Sequence, residues 1–155
     1  MSLRIAEADL ARPDQADAVV EIIDSYARGP GGQNAPLSDE VRAALVPGLR
    51  RHPCAMVLLA WQGDRPVGVA VCIWGFSTFG GREMVNIHDL AVLPDFQGRG
   101  IGAALLAEVE RRARARGCCK VTLEVHDSNA GAKRLYESAG FGSWDSPTWF
   151  VTRTL

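Results

Sequence analysis

The chain carries almost no excess charge. Its 17 basic and 18 acidic side chains leave a formal net charge of −1 over 155 residues, so nucleic-acid binding gets no support from global electrostatics. No apolar run approaches the length needed to cross a membrane. The opening Met1-Ser2-Leu3-Arg4 leads into alternating residues rather than a signal-peptide core, which predicts a cytoplasmic protein. There are 4 cysteines and no Cys-x-x-Cys pair among them. Cys118 and Cys119 are adjacent, which suits neither an ordinary disulfide nor a zinc knuckle. Cys54, Cys72, Cys118 and Cys119 therefore read as small buried hydrophobes in a reducing compartment, with no metal expected. Repeats, low-complexity tracts and interdomain linkers are also absent, and the length suits one domain over residues 1–155.

Hydrophobic periodicity lays out the elements. Leu3 to Asp9 reads as a strand with Leu3, Ile5 and Ala8 inward. A helix opens at Pro13 and Asp14 and repeats Ala16, Val19, Val20, Ile23 and Ala27 at helical spacing. Gly29 to Asn34 breaks it. Ser38 can cap a second helix, with Val41, Leu45 and Leu49 inward and Pro47 limiting its length or regularity. Ala55 to Trp61 and Val67 to Trp74 form a hairpin around Gly63-Asp64. A glycine-containing loop, Phe76 to Arg82, precedes a strand Val85 to Val92 continuous enough to be central in a sheet. The next helix buries Ile101, Leu105, Leu106, Val109 and Ala113, turns Glu108, Arg111, Arg112 and Arg114 outward, and ends at Gly117. Lys120 to Val125 alternates strictly. Asn129 can cap a last helix carrying Leu135 and Tyr136, and Thr148 to Thr154 reads as a final strand. The order predicts a mixed α/β sheet.

The densest signal is Leu90 to Leu106, where an apolar strand runs through a turn and three alternating glycines into a helix. Glycines let the backbone approach a ligand and expose its amides. The helix that follows aims its unpaired N–H groups and positive dipole end at the same place. Together these make an anion site suited to phosphate. A nucleoside-triphosphate loop would need a lysine and a Ser/Thr that are missing after Gly102. A dinucleotide site fits Gly98-x-Gly100-x-x-Ala103 loosely, with Glu124 as the ribose ligand. Pro94 to Gln97 intervene where that fold turns at once, and the chain has no room for a second nucleotide half.

A third reading uses acyl-coenzyme A. Gln97-x-x-Gly100-x-Gly102, after Leu90-x-Val92-x-Pro94, resembles the cofactor signature of the GNAT superfamily of N-acetyltransferases. Asn129, followed by Leu135-Tyr136-x-x-x-Gly140-Phe141, is similar to the segment that comes next in that family. The matching segments run from Val67 to Phe141. The resemblance implies a single-domain fold, a mixed, mostly antiparallel sheet that splays open and is flanked by helices. It implies pantetheine bonded along Leu90, Ala91 and Val92. It implies pyrophosphate held at Gln97, Gly98, Arg99, Gly100, Ile101, Gly102 and Ala103, with Asn129 a further contact.

The same resemblance implies acetyl transfer from acetyl-coenzyme A to a primary amine, a small molecule or a protein amino group, by direct attack in a ternary complex. An amine with a pKa of about 10 must lose a proton before it attacks, and the leaving thiolate needs a hydrogen-bond donor. Tyr136, where the family places a tyrosine, is the candidate acid. His88 is the candidate base, Asp89 beside it is a candidate to orient the ammonium group or to bond backbone amides, and a water relay to Glu83 or Glu124 is an alternative. The aromatic loop before Asn86-Ile87-His88-Asp89-Leu90 is similar to that of diamine acetyltransferases, which carry a glutamate where this chain has His88. Trp74, Phe76, Phe79 and Trp144 are candidates for an acceptor wall, and Trp149-Phe150-Val151 for strand pairing in a homodimer. A non-catalytic acyl-coenzyme A sensor is the rival function.

Overall fold

The computed structural model describes residues 2–155. Five strands, β1 (Leu3–Glu7), β2 (Ala55–Gln62), β3 (Arg65–Ser77), β4 (Arg82–Val92) and β5 (Val121–Leu123), lie side by side in that order. The first three pairings are antiparallel and β4 with β5 is parallel. The sheet is thus mixed and mostly antiparallel. The period-2 alternation of β2 divides the core. Met56, Leu58 and Ala60 face the helix α3 (Ile101–Ala115), while Val57, Leu59 and Trp61 face α1 (Pro13–Arg28) and α2 (Asp39–Arg51). The short helix α4 (Ala130–Ser138) adds Tyr136 and Leu135 to the α3 side.

Each helix follows from its apolar spacing. All five residues expected inward on α3 are buried, each contributing about 1.5–3 kcal/mol for a fully buried aliphatic and less for Ala113. Its outward face is less exposed than expected at Arg112, which pairs with Glu108 and reaches Glu7 on β1 at 2.7 Å. On α1 the buried apolar residues are Ala18, Val19, Ile22, Ile23 and Ala27. Val19, Ile23 and Ala27 are buried as the spacing predicts, and Ala16 and Val20 pack partly buried at the edge of the same face. Ser38 caps α2 by accepting from the Val41 amide at 3.2 Å. Pro47 lies inside the helix without ending it, because Val46 and its neighbours anchor that turn against the sheet. Val41 is exposed.

Several expectations are corrected. Leu3 is exposed and Ile5 carries the inward contact of β1. Phe76 and Ser77 extend β3, and the strand before the glycine turn starts at Arg82, which shortens the expected loop to residues 78–81. β4 is the second strand from the edge. Lys120 to Val125 contracts to the three residues of β5. The final strand over residues 148–154 does not form, and Trp149, Phe150 and Val151 are 90%, 78% and 84% exposed. Alternation alone cannot hold a strand. Pro147 removes a backbone donor, and a three-residue β5 offers too short an edge for a ladder.

Candidate active site

β4 and β5 pair only from Val85 to Ile87 on one side and Val121 to Leu123 on the other. Beyond Ile87 the two strands part, so the β5-facing edge of β4 from His88 to Val92 is left without a ladder partner. The Val92 carbonyl instead accepts from the Gln97 side-chain amide at 3.0 Å. Leu93 donates to the Val67 carbonyl at 2.9 Å, which keeps the start of the turn fastened to β3.

The glycine turn follows. Gly98 and Gly100 have φ of 73° and 79°, the left-handed region that L side chains avoid, and a Cβ at either would enter open space. None of the amides from Gly98 to Ala103 donates to a backbone carbonyl, and the first helical bond runs from the Ala104 amide to the Gly100 carbonyl. Six amides in the turn and first turn of α3 are therefore without a backbone acceptor, and a helix N-terminus with such donors favours an anion. A Cβ on Gly102 would lie 3.1 Å from Leu135 Cδ2, so that glycine lets α4 close on α3. Arg99 folds back, donating to the Asp95 carbonyl at 2.8 Å with its guanidinium over Phe96.

Tyr136 comes to the site on α4. The Asn129 carboxamide oxygen accepts from the Ala132 amide at 3.1 Å and caps that helix, leaving the Asn129 N–H groups free to donate elsewhere. Tyr136 is buried, with Phe141 packed edge-on at 5.8 Å. Burial pushes its phenol up to about 12, with a smaller contribution from the Tyr26 charge.

A β-bulge decides the orientation of the two candidate bases. Val71 lies opposite Asp89 and Cys72 opposite Ile87, which makes His88 the unpaired extra residue. His88 is exposed while Asp89 is half-buried. Burial raises the Asp89 carboxyl above the usual range, and the neighbouring His88 charge partly opposes that. Cys72 behind them is pushed up to about 12 by burial and the Asp89 charge, so it is an inert thiol. Cys54 and Cys118 are partly exposed and Cys119 fully so, and all four cysteines are free.

Tyr26 is the residue that sequence reasoning missed. It stands in the last turn of α1, and its phenol donates to the Gly31 carbonyl at 2.8 Å. Its signal was available: the chain has only 2 tyrosines, and this one immediately precedes the glycine-rich break. Asp24, two residues earlier, is buried and binds Arg28 at 2.8 Å, Arg42 at 3.1 Å and the Leu37 amide at 2.8 Å. That node joins α1, the end of the loop and α2. The Arg28 hydrogen bond, then the Leu37 amide, holds its carboxyl below the usual range.

Other candidates are occupied elsewhere. Glu83 pairs with Arg116 at 2.9 Å, and Glu124 accepts from Asn86 at 3.1 Å. Trp74 lies under the Arg116 guanidinium and Trp144 donates to the Phe141 carbonyl at 2.9 Å. Phe76 and Phe79 are 63% and 103% exposed, so the four aromatics do not assemble into one wall. A groove of about 700 Å³ does open between α3, β5 and the end of α4, lined by Leu106, Val121, Leu123 and Phe141.

The splayed sheet, the glycine turn and the capped helix that delivers a buried tyrosine define a class of acyl-transferring proteins, and the comparisons agree. Residues 17–141 match the model of the Acetyltransferase (GNAT) family. The chain belongs to that family. It is 28% identical over 134 residues to thialysine N-epsilon-acetyltransferase of Bos taurus, covering 85% of this chain and 72% of that one. An uncharacterised N-acetyltransferase of Methanocaldococcus jannaschii is 41% identical over 78 residues, 50% of this chain but only 34% of the relative's length. The ribosomal protein bS18-alanine N-acetyltransferase of Salmonella typhimurium is 47% identical over 59 residues, 38% of this chain and 40% of that one. The chain thus spans well under two thirds of two of these three relatives. Among solved structures, a ribosomal-protein-alanine N-acetyltransferase from Brucella melitensis superposes with a TM-score of 0.77 at 20% identity, covering 99% and 100% of the two chains. That likeness speaks for the fold. Among the described residues no helix is long and apolar enough to cross a membrane.

Proposed function

We propose that residues 1–155 form one N-acetyltransferase domain that moves the acetyl group of acetyl-coenzyme A to a primary amine by direct attack in a ternary complex. The observation that carries this reading is that the buried Tyr136 packs in one cluster with Leu90 and Val92 on β4 and with Ile101, which opens the helix behind the orphan amides of Gly98 to Ala103. The residues fit the cosubstrate: the open space at Gly98 and Gly100 is a cradle that a Cβ would fill. Gly98, Arg99, Gly100, Ile101, Gly102 and Ala103 would hold the pyrophosphate through backbone amides. Gln97 would keep the turn in register through Val92. Leu90, Ala91 and Val92 would bond the pantetheine amides, with Asn129 at the far wall. Bound there, acetyl-coenzyme A supplies a thioester whose carbonyl carbon the amine nitrogen attacks, with the C–S bond breaking and the thiolate leaving.

The proton roles follow from environment. Tyr136 stays a neutral donor at every physiological pH, so its O–H can bond or protonate the departing sulfur. Asp89, with its pKa raised by burial, is a carboxylate able to take the proton of the acceptor ammonium. His88, next to it on the exposed bulge, is placed to pass that proton to solvent. The bovine relative's name supports a small aliphatic amine, and the bacterial one supports a protein amino group. Free cysteines throughout suit a reducing cytoplasm.

Calorimetric titration with acetyl-coenzyme A and NADH, followed by an amine panel read by thiol release, tests the reading. Acetyl-coenzyme A alone should bind, and at least one primary amine should release thiol. Binding of NADH alone overturns the cosubstrate. Binding of acetyl-coenzyme A without turnover on any amine replaces the enzyme with a non-catalytic acyl-coenzyme A sensor.

A further inference from the structure

Tyr26 has no role in the reaction as described, yet the loop it fastens reaches Asn129, the cap of the helix that carries Tyr136. The Tyr26 ring is half-buried and packs against the cluster that contains Val71, the residue opposite Asp89, and Ala91, two residues beyond it. Its phenol donates to the Gly31 carbonyl at 2.8 Å. The loop it holds crosses towards α4: a Cβ on Gly31 would lie 3.2 Å from Tyr26 Cε2, 3.5 Å from its hydroxyl oxygen and 3.3 Å from Asn129 Nδ2. Gly32 rests directly on the helix end, where a Cβ would approach the Tyr26 carbonyl to 2.4 Å and Ala27 Cα to 2.6 Å. Gln33 then donates from its backbone to the Ala27 carbonyl at 2.9 Å, and its side chain bonds the Ala35 and Pro36 carbonyls. The loop from Gly29 to Asn34 is a fastened strap from α1 to the cap of α4, and the phenol of Tyr26 is one of its fasteners.

A phenol has one hydrogen to donate and two lone pairs to accept with. With the hydrogen committed to Gly31, only lone pairs are left. We propose that Tyr26 is a specificity-determining residue: its phenol oxygen and the Asp89 carboxylate together receive an aliphatic primary ammonium ion, while the strap that Tyr26 fastens closes that side of the site. This rests on the acetyltransferase reading and names what that reading leaves open, the groups that recognise the acceptor. A primary ammonium brings three N–H donors and a positive charge, matched by two acceptor groups of which one is anionic. An isosteric alcohol brings a single donor and no charge. Burial chiefly raises both phenols, with the Asp89 charge adding to Tyr26 and the Tyr26 charge adding to Tyr136.

The test is a titration of the full chain with propylammonium and with propanol, followed by NMR, with and without coenzyme A. The wild type should show saturable shifts at Tyr26, Asp89 and residues 29–34 with propylammonium, at least about ten-fold tighter than with propanol. Y26F keeps the ring and removes the oxygen. It should lose about ten-fold in propylammonium affinity, lose almost nothing for propanol, and leave coenzyme A affinity within about two-fold. G32A disturbs the strap while keeping the phenol, and should weaken both probes together. Absence of saturable propylammonium shifts in the wild type overturns the proposal, as does a Y26F protein that loses both probes equally or neither. If Y26F does not fold, the wild-type preference for the ammonium over the alcohol, located by the Tyr26 ring signals, decides. Failure of coenzyme A to bind is a separate result that removes the cosubstrate reading and leaves the ammonium titration standing.

Discussion

The Gln97 side-chain amide donates to the Val92 carbonyl at 3.0 Å, joining the end of β4 to the turn that carries Gly98 and Gly100. With the Leu93 amide bond to the Val67 carbonyl, this bond fastens the glycine turn to the strand edge, and on the function proposed above it would set the spacing between the pyrophosphate and pantetheine subsites. Gln97→Ala should leave the fold intact and weaken acetyl-coenzyme A binding about five- to ten-fold, as loss of one hydrogen bond implies. Calorimetry on the variant checks this, and unchanged affinity would assign Gln97 a purely local role.

Gly100→Ala combines two effects that can be measured apart. A φ of 79° makes any L residue strained there, at a stability cost of about 1 kcal/mol. Its methyl would occupy the space proposed for the pyrophosphate. Acetyl-coenzyme A affinity should therefore fall much further than the modest drop in Tm. Parallel losses of the two would show that the cradle is not where the phosphate sits.

Tyr136→Phe removes the buried donor and keeps the ring against Phe141. Turnover should fall about 10²-fold, the low end of general-acid contributions. Acetyl-coenzyme A affinity should change little. A steady-state comparison of kcat with the calorimetric Kd separates the two, and an unaltered kcat would take the acid role from Tyr136.

Asp89 should trade stability against activity. Its pKa is raised in the fold by burial, so the folded state binds the proton more readily than the unfolded chain does. Stability from this group is full below the unfolded carboxyl pKa and is lost as pH rises through the folded value. At neutral pH the ionised Asp89 therefore costs stability. Asp89→Asn should raise Tm at pH 7, lose that advantage at pH 3, and lower kcat at least about ten-fold. Thermal melts at the two pH values and a thiol-release assay check both halves.

The tyrosines predict the alkaline limit. Tyr136 is pushed up to about 12 and Tyr26 is raised as well, both chiefly by burial. In the unfolded chain a tyrosine ionises at about 10. The stability they contribute is complete below that value and declines as pH climbs from there towards the folded pKa. Phenolate absorbance near 295 nm should therefore stay absent at pH 10 and appear together with unfolding. Stepwise ionisation of a folded protein would show that one phenol is open to solvent.

Local chemistry was readable along the chain because it repeats at short range. The glycines at 98, 100 and 102, the Asn129 cap and the apolar face of α3 are each determined by neighbours within a few turns, and together they carry the family resemblance. Long-range terms decided the rest. The sequence shows His88 and Asp89 as equivalent polar neighbours, and only the bulge against Val71 and Cys72 turns one out and leaves the other half-buried. Nothing in the pattern around Tyr26 reveals that a chain reversal brings Gly31 under its hydroxyl and against Asn129, 98 positions further on. The same rule explains the lost terminal strand, where alternation from Thr148 to Thr154 supplied a face but β5 supplied too little edge. A sequence by itself determines which surfaces are apolar and which turns are permitted. Burial and hydrogen-bond partners depend on what arrives from elsewhere in the chain, and these decide the proton chemistry.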